Sequence, residues 1–600
     1  MKDHDKAFLI AGVVAGAVAG LAAAGAAGAL MAQKEGRKKM EGRPLGEGEQ
    51  EDQQAWEALF GGDEDAVQEV PRRSPSGDAY FAGGGLASLA GAAYLVRDCG
   101  FTGERIHIYE RLPVLGGSND GSGDGTHGFV IRGGGVLNEE TYENFWELFS
   151  SIPSLENPDR SVTEEILNFD RAHPTYARAR LVGRDGKILA VTGMGFNRED
   201  RFALARLLMA PEQSLDGLSI QDWFRETPHF FSTNFWRLWQ TTFAFQKWSS
   251  LFEFRRYLLR MIFEFGRIET LEGVTRTPYN QYESIILPLK RYLEERGVEF
   301  VLGTTVTDVD FAPGDALTAT ALHLRDSQGF ERVQALAAGD LCFVTNGCMT
   351  DNATLGDYRT PAPAPEGRPA SGELWARLAE KRPGLGDPEP FFCHEHETGW
   401  LSFTVTCKGN RLLKKIESFS GNVPGSGALM TFCDSNWLMS IVVAAQPHFK
   451  DQPMDTTVFW GYGLYADKYG DYVKKTMNEC TGEEILTELA HHLHLEQELE
   501  ELKSDIVDVV PCRMPYIDAQ FQPHKLADRP PVPPENSVNF AMIGQFVEIP
   551  ADMVFTEEYS VRSARLAAYA LTGARLPVCP VSAYYKNPAV LLRALKKFCQ

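Results

Sequence analysis

The chain has 600 residues, 44% of them hydrophobic and 11% aromatic, and a formal charge of −22. That length exceeds a single core and fits about three to five domains or one elaborated enzyme. The acidic balance excludes a general nucleic-acid binder, which needs clustered Lys and Arg, and it repels anionic lipids and carboxylates except at a local basic patch.

From the N-terminus, the uncharged run Ala7 to Ala32 is long enough to cross a bilayer as a helix. Gly12, Gly16 and Gly20 form a small-residue stripe, which suits close helix approach or simply reflects an Ala/Gly-rich composition. Lys34, Arg37, Lys38, Lys39 and Arg43 follow, whereas the preceding flank mixes Lys2 and Lys6 with Asp3 and Asp5, so the positive-inside bias places the C-terminal bulk in the cytoplasm. A cleaved signal peptide is the rival, but its apolar core would be unusually long; a single anchor over 1–45 is expected. Residues 46–77, acidic and containing Gly and Pro, read as a flexible tether.

The stretch Tyr80 to Gly134 is the most informative. An apolar lead-in meets a glycine turn at Gly83-Gly84-Gly85-Leu86-Ala87-Ser88, an Ala-rich helical run reaches Arg97, and a β-like segment Ile106–Glu110 ends in an acid. These are the parts of a dinucleotide-binding unit. Gly83 and Gly85 let the backbone approach a pyrophosphate at the helix N-terminus, beside Ala87, and Glu110 lies where a ribose hydroxyl needs an acceptor. Ser88 occupies the third glycine position. Gly116-Gly117-Ser118 and Arg132-Gly133-Gly134 add further places for backbone to lie against a cofactor.

Farther along, Phe300-Val301-Leu302 and Leu341-Cys342-Phe343-Val344 have strand character and Ser284 to Glu295 reads as an amphipathic helix. Strands and helices alternate on both sides of a helical insertion, roughly Ser214 to Thr270. The expected fold is α/β, with a discontinuous Rossmann-like dinucleotide-binding domain over 78–213, 276–365 and 536–575. The rest is a largely helical, aromatic-rich substrate-binding insertion at 214–275 and a separate substrate-binding domain at 366–535, with C-terminal helices and an amphipathic tail at 576–600. Between Asn234 and Arg260 the aromatics include Trp239 and Phe243, at a spacing that suits either a packed core or a cavity for a long apolar ligand. The interleaved Arg237, Lys247, Arg255, Arg256 and Arg260 suit a carboxylate or a solvated face equally. No metal site is expected: Cys393-His394-Glu395-His396 has no second ligand pair at structural-zinc spacing, and the ten cysteines, without a Cys-x-x-Cys pair, suit free thiols in a reducing compartment. The basic, apolar tail Pro588 to Gln600 suits a membrane interface or a helix docked on its own domain.

From about Tyr80 to the end the chain resembles the oleate hydratase family, once called myosin-cross-reactive antigens. The resemblance rests on the glycine turn, Gly116-Gly117-Ser118-Asn119-Asp120-Gly121, Ser151-Ile152-Pro153-Ser154-Leu155-Glu156, Thr345-Asn346-Gly347 and Asp434-Ser435-Asn436-Trp437. Its strongest piece is Ile543-Gly544-Gln545-Phe546-Val547-Glu548-Ile549-Pro550, continued by Val554-Phe555-Thr556-Glu557-Glu558-Tyr559-Ser560-Val561-Arg562. The resemblance implies an FAD-dependent, redox-neutral lyase that adds water across a cis double bond of a free unsaturated fatty acid such as oleate or linoleate. It also implies cofactor contacts from Gly117, Ser118, Asp120, Arg132, Gly133, Gly134, Asn346, Gln545, Phe555 and Thr556, in addition to the glycine turn and Glu110. Tyr257, in Phe254-Arg255-Arg256-Tyr257, matches the family's proton donor, its phenolate favoured by the adjacent guanidinium groups. Trp239, Phe243, Asn436 and His448 are the expected substrate contacts.

Two departures stand out. Where the family reads Arg-Gly-Gly-Arg-Glu-Met, with Glu the proposed water-activating base, this chain has Arg132-Gly133-Gly134-Gly135-Val136-Leu137, so either a nearby group such as Asn138, Glu139 or Glu140 orders the water, or proton removal matters less than alkene protonation, or hydration is impaired. The family's Thr, Asn and His at the substrate carboxylate align with Val442, Ala444 and His448, so only the histidine is kept. The alternatives are a flavin oxidoreductase or isomerase acting on lipid, and a lipid-binding flavoprotein without turnover. Expected partners are the fatty acid, the membrane through the N-terminal helix and the tail, and a second copy in a homodimer, with no nucleic acid.

Overall fold

The computed structural model describes residues 76–119, 121–133, 135–427 and 429–599; the expected anchor, nearly all of the tether, Asp120 and Gly134 lie outside the described residues. Among the described residues no helix is long and apolar enough to cross a membrane.

Five strands form a wholly parallel sheet: β1 (Ala79–Ala82), β2 (Ile106–Glu110), β3 (Glu299–Leu302), β4 (Leu341–Thr345) and β5 (Phe540–Ile543). Their spatial order, β3-β2-β1-β4-β5, is that of doubly wound dinucleotide-binding sheets, in which the cleft opens beyond the carboxyl ends at the point where the strand order reverses. β1 and β5 are buried throughout, as continuous apolar runs require when both faces are covered. A three-stranded antiparallel sheet (Thr304–Phe311, Ala319–Asp326, Glu331–Ala335) fills the connection from β3 to β4.

Residues 214–275 are helical, as expected, but most of 366–535 is built on a seven-stranded sheet that the sequence reading did not anticipate. One interior strand, Trp400–Lys408, alternates apolar Leu401, Phe403 and Val405 with Ser402, Thr404 and Thr406. The apolar set joins a hydrophobic core of its own. The hydroxyl set binds the backbone of 129–132: Ser402 Oγ donates to Arg132 O at 3.0 Å, Thr404 Oγ1 accepts from Ile131 N at 3.0 Å and Thr406 Oγ1 accepts from Phe129 N at 2.9 Å. Period-two alternation thus fixes the loop carrying Arg132 and Gly133. At one edge Leu181–Val182 joins this sheet in parallel with Leu429–Phe432, so the two units exchange chain.

In the helical layer α1 (Leu86–Arg97) follows the glycine turn, and α2 (Asn234–Phe243) and α3 (Leu251–Arg260) carry the aromatic run. The arginines of α3 form neither a solvated face nor a ligand patch. Arg256 pairs with Glu212 at 2.7 Å and Glu548 at 2.6 Å, and Arg260 with Glu143 at 2.7 Å and Asp552 at 3.3 Å. These buried pairs tie the insertion to the segment leading into α4 (Glu557–Thr572), which packs on α1. α5 (Pro588–Cys599) docks on its own chain. Val590, Leu591 and Ala594 are buried, and Lys597 pairs with Glu269 at 2.6 Å. The apolar face expected to meet a membrane is therefore already covered by protein.

Candidate functional site

The glycine turn lies beyond the carboxyl end of β1. Gly83 has φ +102°, a conformation that disfavours any side chain, and a Cβ on Gly84 would come within 2.5 Å of Leu115 and 2.9 Å of Glu110. Glu110 closes the turn, accepting from Gly84 N and Leu112 N, each at 2.7 Å. Gly117, at φ +62°, brings the second glycine loop against Gly85. No side chain caps α1 and its first turn holds no acid, so the orphan N–H groups there remain free for an anionic ligand. Ser88 is explained by a contact that glycine lacks: its buried hydroxyl meets Thr345 Oγ1 at 3.2 Å and joins α1 to β4.

A cavity of about 460 Å³ runs from this turn into a chamber between α2, α3 and the seven-stranded sheet. Gly83, Gly85, Ala87, Glu110, Gly117, Ser118, Arg132 and Gly133 line one end, Gln545, Phe555 and Thr556 the middle, and Phe243 and Tyr257 the chamber. Five expected residues do not line it. Ser88 is in the α1–β4 packing. Asn346 is buried beneath the floor, donating to Phe546 O at 2.9 Å. Trp239 is one layer behind Phe243, ring centroids 4.7 Å apart. Asn436 is exposed in a turn, its N–H donating to Asp471 at 2.8 Å. His448 borders only a small neighbouring cavity of about 30 Å³, and burial with the nearby Arg276 lowers its pKa to about 4, so it is neutral.

Tyr257 is buried with its hydroxyl donating to Val554 O. Burial first, then the charge of Glu253, pushes its pKa well above the ordinary phenol value. The expected activation by neighbouring guanidinium groups fails, because Arg256 is turned to Glu212 and Glu548 while Arg255 donates to Leu207 O at 3.1 Å. The phenol is a protonated donor. Beside it Phe555 holds φ +68°, a strained conformation for a bulky residue, of the kind that clusters at functional sites.

The groups expected to replace the missing base are occupied or turned away. Asn138 donates to Glu264 at 3.1 Å and Gly273 O at 3.0 Å, Glu140 pairs with Arg267 at 2.7 Å, and Glu139 is exposed. Of the carboxylates on the cavity wall, Glu110 closes the glycine turn, Glu264 pairs with Arg267 at 2.7 Å and Asp351 accepts from Ser371 at 2.5 Å; the fourth is Glu557, the first residue of α4. It accepts from Tyr142 OH at 2.9 Å, Gln281 Nε2 at 2.5 Å and Asn119 Nδ2 at 3.3 Å. Tyr142 OH also reaches the backbone carbonyl of Val136 at 3.3 Å, so one hydroxyl bridges Glu557 and the chain at position 136. Burial raises its pKa. Its sequence signal was present, an acid directly after the N-cap Thr556, but such acids usually serve only the helix dipole.

Fold and site together define an α/β protein with a parallel sheet of dinucleotide-binding order, whose glycine turn opens into one chamber lined by aromatic and aliphatic side chains. The chain belongs to the MCRA family, whose model matches residues 76–569. It is 38% identical over 559 residues to the linoleate hydratase of Lactiplantibacillus plantarum, covering 86% of this chain and 98% of that protein. It is also 38% identical over 519 residues to the oleate hydratase of Streptococcus pyogenes serotype M49 (strain NZ131), covering 84% and 87%. Among solved structures it is similar to an oxidoreductase from Methanosarcina mazei, at TM-score 0.43 and 12% identity over 81% of this chain and 98% of that one. The CLA-producing fatty acid isomerase from P. acnes aligns at TM-score 0.43 and 13% identity over 82% and 98%.

Proposed function

We propose that this protein is a fatty acid hydratase, a hydro-lyase that adds water across a cis double bond of a free unsaturated fatty acid with FAD bound. The observation that carries the reading is one continuous cavity joining an uncapped glycine turn to an apolar chamber that holds a buried phenol and a buried carboxylate. The hydratases at 38% identity over most of the chain support it.

The turn fits a dinucleotide: Gly83 to Gly85 and the first amides of α1 would take the pyrophosphate, Glu110 a ribose hydroxyl, and Ser118, Arg132, Gln545, Phe555 and Thr556 the part nearer the chamber. Asp120 and Gly134 are proposed alongside them. When bound, the flavin supplies a polar, planar wall and its electrostatic field rather than electrons.

An isolated alkene is a weak base, so hydration needs a positioned acid, an ordered nucleophile and a field that stabilises positive charge. The Tyr257 hydroxyl delivers its proton to one alkene carbon. Water, ordered by Glu557, forms the C–O bond at the other and gives its proton to that carboxylate. Returning this proton to the phenolate through solvent restores both groups, and no electron changes hands. The negative side chains that raise the Tyr257 pKa, Glu253 foremost, make it a weaker acid but also favour the cationic carbon. Aromatic and aliphatic walls keep other water from the reacting carbons.

Purified protein given FAD under reducing conditions and oleate or linoleate should yield a hydroxy acid heavier by one water. Absence of hydroxy product from every unsaturated acid tried would remove the assignment, and bleaching of the flavin by substrate would favour the oxidoreductase alternative. We also propose that residues 1–45 anchor the enzyme with its catalytic part in the cytoplasm, on the strength of the uncharged run and its basic flank. Deleting them should move activity from the membrane fraction to the supernatant; activity that pellets equally without them defeats the anchor.

A further inference from the structure

Arg276 is a buried charge that the proposed chemistry leaves unused. It is 8% exposed and borders both the large cavity and the small one. Among the described residues its guanidinium forms no ion pair and donates no hydrogen bond, and its Nε is fully enclosed without a partner. The nearby Asp170 accepts from the backbone N–H of Arg276 at 3.1 Å rather than from its side chain.

The contrast with the other buried arginines is sharp. Arg529 pairs with Glu253 at 2.5 Å, Arg562 with Asp552 at 2.8 Å, and Arg256 and Arg260 each with two acids. Arg180 lacks an acid but donates to Leu429 O at 3.0 Å and Thr242 Oγ1 at 2.9 Å. Burial lowers the Arg276 pKa to about 10, which still leaves it charged at neutral pH. The charge of Asp170 offsets that burial only in part and from beyond ion-pair distance; a buried cation without a paired acid is costly, so the site is complete only when an anion enters.

The surroundings limit what that anion is. Val442 and Trp460 separate the two cavities and are shared by both, Ala444 lines the small one, and the neutral His448 closes it. The Gln281 amide is committed to Glu557, and the Asn280 amide to Glu283 at 2.7 Å. One planar cation amid apolar walls, beside a space of about 30 Å³, matches a single small anionic head on an apolar chain. Neither Val442 nor Ala444 offers a side-chain hydrogen bond, so charge must do what neutral donors would otherwise do.

We propose that Arg276 anchors the substrate carboxylate, pairing with the acid end of the chain where the two cavities meet, so that the protein selects free fatty acids over their esters and alcohols. This rests on the reading of the chamber as a fatty-acid site. It is tested by binding, independently of turnover: quenching of tryptophan fluorescence by oleate, methyl oleate and oleyl alcohol, on the full FAD-loaded chain. The wild type should bind oleate about 30-fold more tightly than methyl oleate, the range of a charge-assisted hydrogen-bonded pair. Arg276→Gln should bring that ratio close to one by weakening oleate alone, while Arg276→Lys keeps part of it. Equal binding of acid and ester by the wild type, or an unchanged ratio in Arg276→Gln, overturns the anchor. Should Arg276→Gln not fold, the wild-type ratio and Arg276→Lys decide. A collapsed ratio in a protein that hydrates nothing would keep the anchor and defeat the hydratase, and hydration with an unchanged ratio would do the reverse.

Discussion

Tyr257→Phe lowers the rate of hydroxy acid formation by about 10³-fold and changes KM by less than about threefold, the range for losing a positioned proton donor. The replacement keeps the ring and its edge contacts with Phe243 at 5.3 Å and Phe245 at 5.0 Å. What it removes is the hydrogen bond to Val554 O, worth about 1 kcal/mol, too little to unfold a domain of this size. Thermal melting should therefore shift by only a few degrees. Because burial and nearby acids raise the phenol's pKa, the wild type should show no alkaline loss of rate from this group near the ordinary phenol value of 10.0. A variant keeping a tenth of the wild-type rate would take the proton donor's role away from Tyr257.

Glu557→Gln is the second large effect, with an expected loss of about 100-fold or more in kcat. The amide is nearly isosteric: its one carbonyl oxygen can still accept from Gln281 and Asn119 while its NH2 donates to the Tyr142 hydroxyl oxygen, so the wall is kept while the proton acceptor is lost. The pH profile separates this from simple damage. A base works only when ionised, so activity is full above its pKa and falls as pH drops through it. Burial raises that pKa, which puts the acid limb above the ordinary 4.5. Glu557→Gln should abolish the limb, and adding Val136→Glu to it should restore part of the rate, since the backbone carbonyl of Val136 lies 3.3 Å from the same Tyr142 hydroxyl that Glu557 accepts from. Full activity in Glu557→Gln, or survival of the limb, would show that another group orders the water.

Much of the nucleotide end could be read directly from residue order. Gly83, Gly84 and the acid at Glu110 act within about thirty positions of one another, and the strands at Ile106–Glu110 and Leu341–Thr345 are short apolar runs whose burial is nearly forced. Even the imperfect third glycine left the turn intact, because Thr345 supplies a partner for Ser88. The chamber was much less legible. Trp239 and Phe243 have the same chemistry and fall on one helix, yet only Phe243 reaches the cavity. The hydroxyl alternation at Ser402, Thr404 and Thr406 was plain in the sequence, but its meaning required the backbone of 129–132 to lie against it.

Charge was decided last of all. By sequence Arg255, Arg256, Arg260 and Arg276 are alike, each a cation near aromatics or apolar residues. In the fold Arg256 meets Glu548 from 292 positions away, whereas among the described residues no acid forms an ion pair with the Arg276 guanidinium. Local order determined the glycine turn, the strand character and the family of this protein, since those depend on backbone conformation and near neighbours. Which ionisable groups are neutralised and which stay open to a ligand was left to the tertiary structure, because a buried charge takes its energy from whatever distant segment packing brings within a few ångströms.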